Sequence, residues 1–253
     1  MARFSAAVAG RAISLLLLLG VWEAAARLIH NRLFPGAGAV LDTLFYEIVD
    51  GRLLHDLAAT LLRVAIAFTA AMLAGTVIGI AMGLVRSVDT IFDSWIVFFL
   101  NLPALVIAVL LYVWLGLTDA AAITAVALSK LPTVVVTLRE GTRALDRDLA
   151  AMARSFRLGA WRTLRHVILP QLSPYLLVAA RSGLALIWKI VLVVELLGRP
   201  DGIGYEIQVF FQLFDIKRLI AYALAFVAVV LAIEWCILLP LERGLLKWRE
   251  RSE

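Results

Sequence analysis

The 253-residue chain is poor in the charged side chains that keep a soluble protein in water. Only 17% of its residues are charged while 63% are hydrophobic, and its mean hydropathy is +0.95. A soluble domain of this length can bury a core with a far lower apolar content. The composition therefore excludes water as the main solvent of this chain.

Metal-binding and catalytic motifs are equally scarce. The single cysteine, Cys236, lies in an apolar run, and its lack of a partner excludes an internal disulfide. The histidines are scattered, with no His-Glu-x-x-His motif and no Cys/His cluster, and no serine lies in a Gly-x-Ser-x-Gly turn. No lysine follows a glycine, which excludes a phosphate-binding loop. We therefore expect a chain without catalytic residues, metal sites or bound cofactors.

The sequence has long apolar runs instead. A helix needs roughly 20 mostly apolar residues to cross a bilayer, and run lengths with flanking charges predict about six such helices. The expected fold class is therefore an all-α polytopic membrane protein. The first run resembles a signal peptide, but we expect it to remain as a transmembrane helix. The expected spans are residues 9–29, 57–85, 91–116, 119–138, 174–197 and 218–241.

Arginines and lysines gather on one side of these spans. With the N terminus inside, the inner segments hold Arg3, Arg11, the arginine-rich residues 139–165 and the C-terminal "ERGLLKWRERSE". An excess of basic residues marks the cytoplasmic side of a membrane protein. Both termini and the loop 139–172 are therefore expected in the cytoplasm, and an even number of spans agrees with this. The net charge of +5 thus indicates cytoplasmic loops rather than nucleic-acid binding.

Two segments outside the spans are more than linkers. Residues 36–50 repeat apolar side chains at helical spacing, which predicts a helix lying at the outer surface. Residues 199–217 begin with a Pro-Asp-Gly turn and continue with aromatic residues. We expect two parts: residues 1–56, with the first transmembrane helix and this outer helix, and residues 57–253, the core with its cytoplasmic loop.

Small residues recur every four positions in the second span. Gly75, Gly79 and Gly83 lie on one helical face, where another helix can approach closely. Packing within the chain is the favoured interpretation, and a seam between two copies of the chain is the alternative.

Charged side chains within the spans are costly and usually face a cavity or a partner. Arg181 and Glu234 are each about seven residues from the cytoplasmic end of their spans, which favours an ion pair between them. Lys189 lies near the bilayer centre, where an interhelical pair or snorkelling competes evenly with attraction of an anionic substrate. Arg63 and Glu195 lie toward the outer side, where they either form a pair or line an outer gate.

The stretch "DLAAMARSFRLGAWRTLRHVILP" (residues 148–170) is unusual because it is basic and yet lies between two apolar runs. Residues 148–158 are expected to form a short helix that ends at Gly159. A second amphipathic piece, residues 161–169, is expected to stop at Pro170. The first helix lies either on anionic lipid or in a groove of a soluble partner. Its expected apolar face consists of Leu149, Met152, Ala153 and Phe156.

This loop resembles the coupling segment of type I ABC importer permeases, in which Glu-Ala-Ala is followed by Gly and then by Ile-x-Leu-Pro. The corresponding residues here are Ala151-Met152-Ala153, Arg157 and Val167-Ile168-Leu169-Pro170. The chain departs from the motif at Ala151, where the family has Glu, and at Arg157, where the family has Gly unless Gly159 takes that place.

The residues that follow are similar to the branch of this family that imports nitrate, sulfonates, taurine and thiamine precursors. The shared features are a Leu-Pro-x-x-x-Pro-Tyr pattern, a tryptophan-containing fifth span that ends in Glu195, and a Gly-x-Gly-Tyr loop at residues 202–205. The resemblance implies the permease fold and a homodimer in the bacterial inner membrane.

The resemblance also implies partners for the chain. Each copy is expected to insert residues 148–158 into one of two ATPase subunits, which bind ATP and Mg and hydrolyse the ATP. A periplasmic solute-binding protein is expected to dock near residues 30–55 and 199–217 and to deliver a small anionic solute. The residues then expected to couple to the ATPase are Leu149, Ala151, Met152, Ala153, Phe156, Arg157, Gly159 and Pro170. Those expected in the pathway or as intramembrane charges are Lys189, Arg181, Glu195, Glu234 and Arg63.

Two other classes of protein remain as alternatives. A secondary transporter would work without an ATPase, but it usually has inverted repeats and helices broken at mid-membrane, which the sequence does not show. A channel is the third class. A neighbouring reading frame with a phosphate-binding loop, together with one for a secreted binding protein, would favour the importer.

Overall fold

The computed structural model describes residues 2–240, with side chains from residue 14 onward except at positions 15, 147, 150, 154, 237 and 238. The side chains of Arg3 and Arg11 and the basic tail after residue 240, which support the predicted orientation, lie outside the described residues. All the elements in the described part are helical. The all-α fold class expected from the sequence is therefore confirmed.

The helices follow one another along the chain as α1 (Ala2–Ile29), α2 (Ala37–Val49), α3 (Leu53–Leu84), α4 (Arg86–Asn101), α5 (Ala104–Leu115), α6 (Asp119–Arg143), α7 (Arg147–Ser155), α8 (Ala160–Thr163), α9 (Leu169–Gly198), α10 (Ile203–Gln212) and α11 (Ile216–Ile233). Two π turns, Leu164–Ile168 and Glu234–Leu238, precede α9 and follow α11.

Four helical runs in residues 2–240 are long and apolar enough to cross a membrane. They are α3, α6, the continuous run Ala160–Gly198 and the run Ile216–Cys236. Helices α4 and α5 pass the same test only as a pair, and they are bent by 97°. By this criterion the described chain has four or five spans, fewer than the predicted six, although α1 does cover the residues expected for the first.

The bend between α4 and α5 is caused by Pro103. The residue before a proline is driven out of the helical region, and Leu102 is accordingly extended, with ψ of 125°. Pro103 is extended too and serves as the cap of α5. The prediction of one uninterrupted span over residues 91–116 is therefore wrong, as is the expectation that no span is broken.

The fifth span begins earlier than expected because Pro170 does not end the helix. The π turn Leu164–Ile168 leads directly into α9, and Pro170 lies in the first turn of α9. Pro174, expected in that first turn, lies inside α9. A proline there leaves the Pro170 carbonyl without its usual N–H donor, and the Ser173 hydroxyl donates to that oxygen at 2.8 Å instead.

Helix α6 lies at the centre of the bundle. It packs against α3, α5 and α9, and several of its side chains belong to the main apolar core. Aromatic rings extend this core between α9, α10 and α11. Trp188 meets Phe226 edge-to-face with 6.0 Å between ring centres, and Phe210 meets Tyr222 in the same way at 5.0 Å.

The three glycines of the second span lie against α6 of the same chain. A Cβ added at Gly79 would lie only 2.7 Å from the Val135 carbonyl oxygen. The neighbours at Gly75 and Gly83 are also residues of α6. The small residues therefore let two helices of one chain approach closely, and the face they form is occupied rather than open to a second copy.

Candidate functional site

The helix predicted for residues 148–158 is α7, and it is held at its beginning by two side chains. The Asp146 carboxylate accepts a hydrogen bond from the Asp148 N–H at 2.8 Å, as a helix cap does. The Gln171 side chain, near the start of α9, accepts one from the Asp146 N–H at 2.9 Å. The beginning of α7 is therefore connected directly to the fifth span.

The apolar face expected on α7 is divided between two sides. Phe156 is 74% exposed, Met152 45% and Leu149 39%, whereas Ala153 is only 1% exposed. The prediction of a single apolar face is wrong at Ala153, whose small side chain lets α7 pack closely on the rest of the chain. Ala151 lies on the exposed side. An external surface can therefore reach Leu149, Met152 and Phe156 but not Ala153.

Helix α7 is closed by Arg157 and not by Gly159. Arg157 has a left-handed backbone with φ of +47°, and the Leu158 N–H donates to the Ala153 carbonyl at 2.9 Å. Gly159 has φ of −62° and precedes α8. The left-handed residue is thus the one at the glycine position of the motif, where glycine adopts this conformation without strain.

At the opposite end of the bundle, Arg63 is buried among acidic side chains. Its guanidinium lies 2.7 Å from Glu195 and 2.7 Å from Asp119, and it also forms an ion pair with Asp201. The Thr60 hydroxyl donates to the second Glu195 oxygen at 2.9 Å. Of the two alternatives for Arg63 and Glu195, the structure therefore has the pair.

The Gly-x-Gly-Tyr loop closes around the same carboxylate. The Gly204 N–H donates to Glu195 at 2.9 Å, and the Ile203 N–H donates to the Thr60 hydroxyl at 2.9 Å. Gly202 has φ of +103°, and a Cβ there would lie 2.5 Å from a Glu195 carboxylate oxygen. Only glycine fits at this position. The loop therefore packs closely against the C-terminal end of α9.

The two outer segments expected to receive a binding protein lie side by side. Helix α2, within residues 30–55, packs on α11. Its Glu47 forms an ion pair with Arg218 at 2.8 Å, and the Arg218 guanidinium lies over the Phe210 ring of α10. Residues 30–55 and 199–217 thus share one end of the bundle.

A cavity of about 500 Å³ lies between α9 and α11. Arg181, Lys189 and Glu234 line it, and an Arg181 nitrogen lies 3.8 Å from Glu234, in the arrangement expected of an ion pair. Lys189 is exposed, and within the described part of the chain no hydrogen bond or ion pair engages it. The other walls are apolar and include Trp188 and Phe226.

Several buried polar groups were missed by sequence reasoning. Lys130 on α6 is buried, and among the described residues its Nζ has no hydrogen-bond partner. The available signal was a lysine inside the apolar run 119–138. Three buried carboxylates at the same end of the bundle as Arg63, which carry no sequence motif, were missed as well: Glu47, Asp56 and Glu206. In residues 2–240 no group of His, Cys, Asp and Glu side chains is arranged to hold a metal ion.

Comparison with known families gives these features a context. The family described as "Binding-protein-dependent transport system inner membrane component" matches residues 71–239, well over half of the chain. The chain belongs to this family. The match includes the loop 139–172 with α7, the end of α9 with its glycine loop, and the cavity between α9 and α11.

Relatives of the permease have informative names. The "Putative aliphatic sulfonates transport permease protein" of Escherichia coli is 31% identical over 190 residues, 74% of this chain and 72% of that protein. The taurine transport system permease protein of Escherichia coli is 30% identical over 202 residues, 77% of this chain and 74% of that protein. The branch indicated by residues 169–207 is therefore confirmed.

A solved structure agrees with the fold. A chain from the crystal structure of an amino acid ABC transporter matches with a TM-score of 0.58 at 20% identity, over 84% of this chain and 98% of that one. The permease is thus a multi-pass inner-membrane subunit of an ABC transport system, with the fold that the coupling-segment motif implied.

Proposed function

We propose that the permease forms the translocation pathway of an ATP-driven importer as a homodimer, and that each copy binds one separate ATPase subunit through α7. A solute-binding protein docks on the outer end formed by α2, α10 and α11. The transported solute is a small anion. The relatives are named as permeases for aliphatic sulfonates, taurine and bicarbonate, and these names support a small anion as the solute.

The exposed side of α7 carries this proposal. Leu149, Met152 and Phe156 project from a helix whose beginning is hydrogen-bonded to the fifth span. An amphipathic helix that offers apolar residues at helical spacing fits a groove on a partner protein. Motion of such a partner would act on α9 through Asp146 and Gln171, so that closure of two ATPases switches the pathway by rigid-body rotation.

We also propose that ATP is bound and hydrolysed by the partner ATPase and not by the permease. The chain has no phosphate-binding loop, so ATP and Mg are held by the partner ATPase and this chain takes no part in hydrolysis. The basic loop 139–172 then faces the cytoplasm together with both termini. The outer network around Arg63 and Glu195 holds the periplasmic ends of α3 and α9 together.

A pull-down of the tagged permease from its native membrane, in mild detergent, tests the ATPase partner. We expect an ATPase subunit in equal amount to the wild-type permease and its loss from a Met152→Asp/Phe156→Asp double variant. Leu213→Asp is the matched control, because Leu213 is as exposed as Phe156 but follows α10 at the other end of the bundle. Ala153 is unsuitable as a test position because it is buried.

Two results would contradict the proposal. A folded permease that purifies without an ATPase would return the chain to the secondary-transporter or channel class, with α7 lying on lipid. Retention of the ATPase by the double variant at the wild-type level would show that α7 is not the contact.

A further inference from the structure

We propose that the cavity between α9 and α11 binds a small organic anion, with the Lys189 ammonium contacting its charged group and the apolar walls holding its hydrocarbon part. This inference rests on the proposed transport function, because it places the solute on the pathway. The volume of about 500 Å³ falls in the range of small-molecule sites, which is roughly 300–1,000 Å³.

Among the described residues that line the cavity, Lys189 is a cation without a counter-charge. Arg181 is 3.8 Å from Glu234, which offsets its charge. Lys189 lines the same cavity, and no acceptor among the described residues engages it. An ammonium within a membrane span is costly unless it faces water, a partner or a ligand. The interhelical pair that would give Lys189 a purely structural role is missing from the described part of the chain, whereas an anion in the cavity would supply its counter-charge.

Along α9 the cavity has a charged side chain at each end and apolar residues between them. Arg181 and Lys189 are eight residues apart, or about 12 Å along the helix axis, and both face the cavity. Ala185 lies between them and leaves space. Across the cavity stand Phe226 and Val227 of α11.

The aromatic wall fixes the kind of anion. Trp188 and Phe226 are packed edge-to-face at 6.0 Å, so they form a preformed apolar surface next to Lys189. An inorganic anion such as bicarbonate would leave this surface unused. An organic anion can bury a carbon chain against it while its charged group stays on the ammonium.

The experiment measures binding of 1-butanesulfonate, and of the uncharged 1-butanesulfonamide, to the full-length permease in phosphatidylcholine nanodiscs without a binding protein. We expect Lys189→Met to weaken butanesulfonate binding at least tenfold, the usual scale for losing a charge partner, and to leave the sulfonamide unchanged. Lys189→Arg should keep most of the affinity. Arg86→Met, which removes an exposed cation outside this cavity, should bind like wild type.

Each other outcome overturns the site. Equal butanesulfonate affinity of wild type and Lys189→Met would do so, as would a wild type that binds no butanesulfonate at all. If Lys189→Met fails to insert, Lys189→Arg and Lys189→Gln give the same comparison. Nanodiscs with phosphatidylglycerol distinguish a lipid headgroup from a free anion: complete loss of butanesulfonate binding there would assign the cavity to lipid. The pull-down of the ATPase is scored separately, so failure of the transport proposal remains distinguishable from failure of this site.

Discussion

The guanidinium of Arg63 on α3 lies 2.7 Å from the carboxylate of Glu195 near the C-terminal end of α9, and both side chains are buried. Asp201, just beyond α9, forms a further ion pair with the same guanidinium. The Gly204 N–H of the glycine loop and the Thr60 hydroxyl donate to the other Glu195 oxygen. Two spans and a loop therefore meet at one charge pair, in surroundings where an unpaired charge is expensive.

Replacing Arg63 by methionine should strongly destabilise the permease. The substitution leaves Glu195 charged, buried and without its cation, which costs about 3–5 kcal/mol in comparable buried pairs. Thermal unfolding in detergent should show a large fall in the midpoint. A double variant, Arg63→Met with Glu195→Met, removes both charges and should regain part of that loss.

The matched control for this experiment is the exposed pair between Arg27 and Glu23, 3.0 Å apart on α1. Exposed pairs contribute roughly 0–1 kcal/mol, so Arg27→Met should barely move the midpoint. Similar midpoints for Arg63→Met and Arg27→Met would show that the buried network contributes little to stability.

Gly79→Ala should separate α3 from α6. The new Cβ would lie 2.7 Å from the Val135 carbonyl oxygen, a backbone atom that cannot rotate away. Overpacking of this kind costs about 1–3 kcal/mol, and we expect a lower unfolding midpoint. Gly38→Ala on α2 is the control, since no atom lies within 4 Å of a Cβ there. It should change the free energy of unfolding by no more than about 1 kcal/mol. A Gly79→Ala variant as stable as Gly38→Ala would contradict the close packing.

Lys130→Met should stabilise the permease. The Lys130 Nζ is buried without a hydrogen-bond partner among the described residues, and an unsatisfied buried polar group costs about 1–3 kcal/mol. Methionine keeps much of the volume of the side chain while removing the amine. We expect the unfolding midpoint to rise, whereas Lys217→Met at an exposed position should leave it unchanged. A fall in the Lys130→Met midpoint would mean that the amine has a favourable partner.

The sequence was sufficient for features that depend on local composition. The lengths of the apolar runs predicted the long apolar helices, and helical spacing predicted α2 and α7. The motif at residues 151–170 indicated the family. The same local rules placed a helix end at Gly159, because glycine usually supplies the left-handed residue. In the structure the left-handed residue is Arg157, two residues earlier, although the local rule assigns that conformation to glycine.

Features that depend on distant contacts were accessible only in the structure. The presence of Arg63 and Glu195 in two spans was visible, but both a pair and a gate fitted the sequence. In the structure the Glu195 carboxylate also accepts hydrogen bonds from the Thr60 hydroxyl and from the Gly204 N–H of the glycine loop, and these contacts hold it beside Arg63. Lys130 is a similar case, because its position inside an apolar run was readable from the sequence, whereas the absence of a partner among the described residues was not.

Glu206 on α10 should make stability depend on pH. Burial first, and then the neighbouring Asp56 carboxylate, raise the pKa of Glu206 above its ordinary value of 4.5. The folded state therefore holds this proton more tightly than the unfolded state does. The resulting stabilisation is fully present below pH 4.5 and is lost as the pH rises through the raised pKa.

Glu206→Gln removes this titration, because glutamine remains neutral at every pH. We expect the unfolding midpoint of wild type to fall relative to that of Glu206→Gln as the pH is raised from 4.5, with the two proteins closest at the acidic end. Gln212→Glu adds a carboxylate at an exposed position of the same helix and should not produce such a fall, since an exposed carboxylate is not desolvated on folding. Parallel midpoint curves for wild type and Glu206→Gln between acidic and neutral pH would mean that Glu206 keeps an ordinary pKa despite its burial.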